Sequence, residues 1–282
     1  MISVTHRVPA STSNLGPGYD CLGVALQISN RVTLTRAAGR RGSMGKMADE
    51  AAGRFFAMVE QEPFAFTWSV QGGVPRSRGL GSSVTVRLGL LHGLNQLAQA
   101  PLDSERLFRL CADLEGHPDN AAPAAFGGFT LAHPTAPVIR VEVDPALQFV
   151  LLIPDFEVST PAARALLPLE LARLAAVKSC NNASRITAAF MSRRYDLLQG
   201  CFVDGLHQPF REPLVPFLSK VIAAGEAVGA LGGFLSGSGS TICCVTLENE
   251  DRVAAAMLAA SENPGARTVI TSADNLGIQL ER

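Results

Sequence analysis

The sequence predicts a mixed α+β chain in two domains, and three observations carry that reading. Segments with apolar–polar alternation, Arg31 to Arg36 and Val138 to Val143, interleave with segments of helical period, of which Val84, Leu88, Leu91, Leu94 and Ala98 are the clearest. The glycines gather in three clusters: Gly16, Gly18 and Gly23; Gly72, Gly73, Gly79 and Gly81; and Gly232, Gly233, Gly237 and Gly239. Around Pro145 to Pro154 the chain passes from a part holding two of these clusters to one dominated by helical patterns, which divides it into residues 1–147 and 148–282.

In chain order, Arg31 to Arg36 reads as a half-buried strand and Met47 to Val59 as a helix behind a Gly/Arg/Met-rich stretch. From Ser83 the period becomes helical, and Pro101 is the expected stop. Leu107, Leu110, Cys111 and Leu114 form the stripe of a second helix over Ser104 to Leu114. Val138 to Val143 and Phe149 to Ile153 read as strands. Pro161 to Arg194, rich in Ala, Leu and Arg, reads as two helices with a break near Ser179 to Asn182. Pro213 to Val228 is expected to be another helix, and Thr241 to Leu247 a strand.

Composition excludes several functions. Of 282 residues 47% are hydrophobic and 17% charged, enough apolar surface to offset the ordering entropy, so disorder is excluded. Lys+Arg 24 against Asp+Glu 25 lacks the basic excess of a nucleic-acid coat. No apolar run approaches the ~18 residues of a membrane span, and MISVTHRVPA has no secretory apolar core. The six cysteines show no CxxC spacing and read as buried small hydrophobes in a reducing compartment, so the expected location is cytoplasmic. A homodimer is expected on base rate alone.

The middle glycine cluster carries the strongest chemical signal. Pro75-Arg-Ser-Arg-Gly-Leu-Gly-Ser-Ser83 runs directly into the helix whose stripe begins at Val84. Glycines allow backbone N–H groups to converge, a helix start adds partial positive charge, and Ser82 and Ser83 offer hydroxyls, which together suit phosphate. Either serine would serve equally as a plain helix cap. The standard phosphate motifs are absent: Gly45-Lys46 is followed by Met47 where a P-loop needs a hydroxyl, and none of the three Gly-x-Gly pairs completes a dinucleotide fingerprint.

Val8-Pro-Ala-Ser-Thr-Ser-Asn-Leu-Gly-Pro-Gly-Tyr-Asp-Cys-Leu-Gly23, Gly79-Leu-Gly-Ser-Ser83 and Leu235-Ser-Gly-Ser-Gly-Ser-Thr241 resemble the three ordered motifs of the GHMP small-molecule kinases. Within that superfamily, the first motif with Glu115-Gly-His-Pro-Asp-Asn120 and His207-Gln-Pro-Phe-Arg211 is similar to the homoserine kinase family. The resemblance implies an N-terminal domain like the second domain of ribosomal protein S5 and a C-terminal ferredoxin-like α/β sandwich. It implies ATP and Mg²⁺ as cofactors and L-homoserine as the substrate, phosphorylated on its side-chain hydroxyl in threonine biosynthesis.

Residue roles follow from the same resemblance. Pro75, Arg78, Gly79, Leu80, Gly81, Ser82 and Ser83 would wrap the ATP phosphates, with Ser83 and Glu115 as metal ligands. Asn14, Asp20, His117, Asn120, Thr160, Arg164 and Arg211 would line the amino-acid site, the arginines taking the carboxylate and Asp20 the ammonium. Without the resemblance, Glu115 reads as a helix-end surface carboxylate, the arginines as solvated side chains and a lone histidine as structural. Asn120, Ser83 and Glu115 form the expected catalytic set; an amide is no base near neutral pH, so turnover is expected without a protein base.

Two departures from the family pattern stand out. Ser238 and Ser240 occupy a third loop that commonly reads Gly-Ala-Gly-Pro-Thr, and that loop is expected to close the fold beside the phosphate loop. The segment from Ala37 to Glu62 is short where the family builds its adenine pocket; Met44, Met47 and Phe55 are candidates for apolar cover, though such residues at helical spacing are more often core. The alternatives are another GHMP kinase with a carboxylated alcohol substrate, or a non-catalytic nucleotide or metabolite sensor on the same fold. Paired arginines disfavour an uncharged sugar, and Ser83 together with Glu115 disfavours a sensor.

Overall fold

The computed structural model describes residues 2–39, 42–100 and 102–281. Two antiparallel sheets form the frame. The first contains β1 (Ser3–Ser13), β2 (Leu22–Arg36), β3 (Phe66–Gly72), β4 (Phe129–Leu131), β5 (Ile139–Val141) and β10 (Gln279–Glu281). Its order is β10-β1-β2-β4-β5, with β3 also paired to β2. The second, in the order β7-β8-β6-β9, comprises β6 (Gln148–Ile153), β7 (Gly232–Leu235), β8 (Ile242–Thr246) and β9 (Arg267–Thr271). The β1–β2 register shifts between Pro9 and Ala10, where proline has no N–H to give the ladder.

Four helices cover one face of the first sheet: α1 (Lys46–Val59), α2 (Ser82–Leu97), α3 (Ser104–Glu115) and α4 (Ala121–Phe126). Their core joins Phe55, Leu88, Leu91 and Phe108 to Val32 and Leu34 of β2. The opposite face of that sheet shares a second core with the second sheet and α6 (Arg173–Ser192), through Leu26, Phe129, Phe149, Phe190 and Phe234. Phe129 and Phe190 stack there with centroids 4.3 Å apart. A third core lies beneath α8 (Leu218–Glu226) and α9 (Glu250–Ser261). The expected α+β class is therefore present.

Several expectations change. α6 is unbroken across Ser179 to Asn182; the interruption lies in 166–172, after α5 (Thr160–Ala165), where Pro168 cannot continue a helix. Ser179 and Asn182 instead face a neighbouring loop, Ser179 accepting from the Gly205 N–H at 3.0 Å and Asn182 donating to the Val203 carbonyl at 2.8 Å. The helix expected from Pro213 starts only at Leu218, behind a 3₁₀ turn at Glu212–Leu214. Pro101 lies outside the described residues.

The packing of α2 on β2 depends on Gly89 and Gly93, which face Val32 and Leu34. A Cβ on Gly89 would sit 2.4 Å from Val32 Cβ, whereas one on the exposed Gly53 of α1 would meet nothing within 4 Å. Helix propensity favours alanine at both sites by about 1 kcal/mol. We expect Gly53→Ala to raise the melting temperature and Gly89→Ala to lower it, because overpacking a rigid β-branched neighbour costs roughly 1–3 kcal/mol and outweighs propensity. Parallel thermal melts check both signs.

His6 of β1 and His92 of α2 meet in the same interface with centroids 5.6 Å apart, and His6 Nδ1 and His92 Nε2 are buried without a hydrogen-bond partner. Burial pushes His6 down to about 4 and His92 to about 3, the latter also through its neighbour His6. Unfolding restores both to about 6.5, so the unfolded chain binds more protons below that pH. The stability they confer is complete above about 6.5 and falls as the pH drops from there toward about 3. Urea midpoints should decline over this window, and His92→Leu should make the decline shallower.

Candidate active site

A cavity of about 990 Å³ opens where the three glycine clusters meet. The N-terminus of α2 forms one end. Gly79 and Gly81 have φ of +73° and +66°, a region costly for side chains, and a Cβ on Gly79 would lie 2.1 Å from the Ser236 carbonyl oxygen. Gly81 occupies the cap position of α2, and among the described residues no side-chain cap bond closes the helix start. That settles the alternative left open by the sequence: Ser82 and Ser83 lie inside the first turn and are not caps. The open end of a 16-residue helix presents N–H groups and partial positive charge to an anion.

The third loop buttresses this end, as expected of it. Ser236 Oγ donates to the Gly79 carbonyl at 2.6 Å, the Thr241 N–H to the Arg78 carbonyl at 3.2 Å and the Gly237 N–H to the Ser13 carbonyl at 3.2 Å. Asn14 Nδ2, from the first cluster, donates to the Gly237 carbonyl at 2.9 Å.

Beside the helix start, Ser83 Oγ donates to Glu115 Oε2 at 2.9 Å, and Arg87 pairs with Glu115 Oε1. Glu115 ends α3, where the helix dipole disfavours a carboxylate; Arg87, one turn along α2, offsets that. One hydroxyl and one carboxylate form an oxygen-only donor set that fits a hard cation shared with phosphates.

The far end is built for opposite charges. Arg164 of α5 pairs with Asp20 through bonds of 2.6 and 3.0 Å, and donates to the Tyr19 hydroxyl at 2.8 Å. Arg211, ending α7 (Gln208–Arg211), is only 2% exposed yet reaches the cavity wall, and its guanidinium carbon lies 5.3 Å from the Tyr19 ring centroid. Thr160 Oγ1 and Ser238 Oγ share a hydrogen bond of 3.1 Å at the rim.

The floor carries Asp119 between His117 and Asn120. Burial alone would push the Asp119 carboxyl up; the 2.7 Å bond from His117 Nδ1, with its charge, a bond from Ser13 and the Asn120 N–H together hold it below the usual range. His117 responds oppositely: burial opposes its protonation, but Asp119 overcomes this and raises it. Asn120 is fully engaged, Oδ1 accepting from Ser11 Oγ at 2.9 Å and Nδ2 donating to Ser13 Oγ at 2.8 Å.

Asn14, Asp20, Arg78, Gly79, Gly81, Ser82, Ser83, Glu115, His117, Asn120, Thr160, Arg164 and Arg211 all line this cavity. Pro75 and Leu80 do not, and Leu80 is fully buried in the core shared by the two sheets. The Arg78 guanidinium donates to the Pro154 carbonyl at 2.9 Å and the Asp155 carbonyl at 2.6 Å, fastening its loop to the end of β6. Met44 and Met47 stand on the wall with Trp68, whose Nε1 donates to the Met44 carbonyl at 3.2 Å, while Phe55 is core. Trp68 and Tyr19 carry no mark in the sequence reading and Asp119 only supports Glu115 there, although Tyr19 and Asp119 sit inside the quoted motifs.

Comparison with known proteins agrees with this geometry. The family description "GHMP kinases N terminal domain" matches residues 46–128 and "GHMP kinases C terminal" matches residues 186–264. A homoserine kinase of Microchaete diplosiphon is 36% identical, covering 98% of this chain and 96% of that one. One of Moorella thermoacetica is also 36% identical, over 94% of each. The crystal structure of a homoserine kinase from Cytophaga hutchinsonii superposes with a TM-score of 0.89 at 24% identity, over 99% of this chain and 97% of that one. A galactokinase of Lactococcus lactis shares the fold at a TM-score of 0.75 and 12% identity. By sequence over nearly its full length, and by fold, the chain belongs to the homoserine kinase family of the GHMP kinases.

Proposed function

We propose that this protein transfers the γ-phosphoryl group of ATP to the side-chain hydroxyl of L-homoserine, giving O-phospho-L-homoserine and ADP. One observation carries the reading: the Asp20–Arg164 pair, with Arg211 behind it, faces the open N-terminus of α2 within a single cavity. An ammonium suits Asp20, a carboxylate suits the arginines, and a short side chain extends the hydroxyl toward the phosphate cradle. The relatives named homoserine kinase support this choice over a sugar, which would leave both arginines without purpose.

The residues divide the work by chemistry. Backbone N–H groups of Gly79 to Ser83 hold the phosphate oxygens, and Met44, Met47 and Trp68 offer apolar cover to the base. Ser83 and Glu115 would hold Mg²⁺, which when bound neutralises charge on the phosphates. Asp20, Arg164 and Arg211 orient the amino acid so that its hydroxyl lies in line with the γ-phosphorus, the largest contribution available without a base. No side chain takes the proton: Asn120 is an amide with both ends engaged, and Asp119 is a weakened base already holding His117. As the new O–P bond forms and the bond to ADP breaks, the hydroxyl proton passes to a phosphoryl oxygen.

Among the described residues no helix is long and apolar enough to cross a membrane. We place the protein in the cytoplasm, a reading supported by six free cysteines, four of them buried.

ATP consumption over a panel of L-homoserine, L-threonine, L-serine, mevalonate and galactose should show turnover with homoserine far above the rest; a folded, ATP-binding protein that ignores homoserine overturns the proposal. Asp20→Asn should raise the KM for homoserine roughly tenfold or more, since hydrogen bonds to charged groups are worth about 1.5–3 kcal/mol, with the KM for ATP little changed. Ser83→Ala should lower kcat roughly a hundredfold and leave the melting temperature near that of the parent. Steady-state kinetics with each substrate varied in turn, alongside melts, separate these effects.

A further inference from the structure

His207 is wholly buried, immediately precedes α7 and has no role in the transfer described above. Its Nε2 lies 2.8 Å from the Gly16 carbonyl oxygen and its Nδ1 lies 3.2 Å from Arg211 Nη1. A carbonyl can only accept and a guanidinium can only donate. The ring must therefore carry a single proton, on Nε2, and accept from Arg211 at Nδ1. Burial pushes this imidazole down to about 4, with Asp204 opposing and Arg211 reinforcing, so the neutral ring persists around pH 7.

The surroundings leave Arg211 little freedom. Its Nη1 also donates to the Gly237 carbonyl at 3.0 Å, and its Nε donates to the Ala163 carbonyl at 3.4 Å. The Tyr19 ring sits 5.2 Å from His207, centroid to centroid, tilted by 32°. Asp204 anchors the histidine by accepting from the His207 N–H at 2.9 Å and the Gln208 N–H at 2.8 Å, and its Oδ2 lies 3.5 Å from His207 Nε2. Gly16 is itself pinned, since a Cβ there would lie 2.5 Å from the Phe202 carbonyl oxygen.

We propose that His207 is a positioning residue for the reaction: as the neutral Nε2–H tautomer it sets the plane of the Arg211 guanidinium and ties it to the first glycine loop, so that the substrate carboxylate meets a prealigned donor. This rests on the homoserine reading for the assignment of Arg211, and a guanidinium free to rotate would lose the fixed direction in which its remaining donor, Nη2, meets the carboxylate.

Two substitutions separate the ring's two bonds. The short amide of His207→Asn reaches the Nδ1 position and can accept from Arg211; the longer one of His207→Gln reaches the Nε2 position and keeps only the bond to Gly16. H207Q should raise the KM for L-homoserine roughly tenfold or more with the KM for ATP little changed, and H207N should recover most of that loss. Equal losses in the two variants, a larger loss in H207N, or a parallel rise in the KM for ATP overturns the proposal. Should the variants fail to fold, ¹⁵N NMR of the parent's histidine rings at pH 7 decides: a protonated Nε2 with a bare Nδ1 is expected, and the opposite tautomer or an imidazolium at His207 overturns it. If the parent protein itself does not turn over homoserine, the functional reading fails, and the NMR result still tests the tautomer by itself.

Discussion

The close approach of backbone to backbone between Gly79 and the loop from Ser236 to Gly239 is the constraint on which the rest of the site depends. A Cβ at Gly79 would lie 2.1 Å from one atom of that loop and 2.9 Å from two others, all of them backbone and unable to move aside cheaply. Because the two loops touch, the open N-terminus of α2, carried by the first sheet's helix layer, is closed by a loop of the second sheet. The same contact sets Gly237 where its carbonyl accepts from both Asn14 and Arg211. One close approach thereby links the anion cradle to the amino-acid end.

A formal net charge of -1 gives no hint of the proposed triphosphate site, and such a site needs none. The cradle uses helix N–H groups, which no count of charged residues records. Two basic side chains close to it are committed elsewhere, Arg78 to the carbonyls of Pro154 and Asp155 and Arg87 to Glu115 and Glu50, while Lys46 and Arg76 stand on the cavity wall. Paired cations of this kind stiffen the walls without attracting anions indiscriminately.

What was legible in the sequence follows from what leaves a local imprint. α3 is readable because it buries one stripe, α2 because its apolar residues keep helical spacing although it is buried between the sheet and the other helices, and the glycine clusters because left-handed and crowded positions demand that residue. β1 left no such trace: from Val8 to Ser13 it is buried on both faces, and its serines and threonines bond across the fold, so alternation disappears. The supposed break in α6 came from polar residues whose partners lie more than 20 residues away, information no window of sequence holds. Trp68 is the counterpart in the site. Its strand is long-range paired to β2, and only the fold brings it to Met44.

The engaged state of Asp20 and Arg164 bears on how a substrate enters. Their side chains are 34% and 35% exposed, and ion pairs so open to water contribute about 0–1 kcal/mol to stability. Separating them is therefore cheap, whereas dividing a fully buried pair strands charge in low dielectric at several kcal/mol. A zwitterion replaces each partner with an equivalent one, ammonium for guanidinium and carboxylate for carboxylate, so the exchange conserves charge pairing at both ends. A molecule with only one of those charges opens the same pair and leaves the other residue unsatisfied. In the proposed function, selectivity for an α-amino acid would thus arise less from contacts added on binding than from the contact that binding must undo.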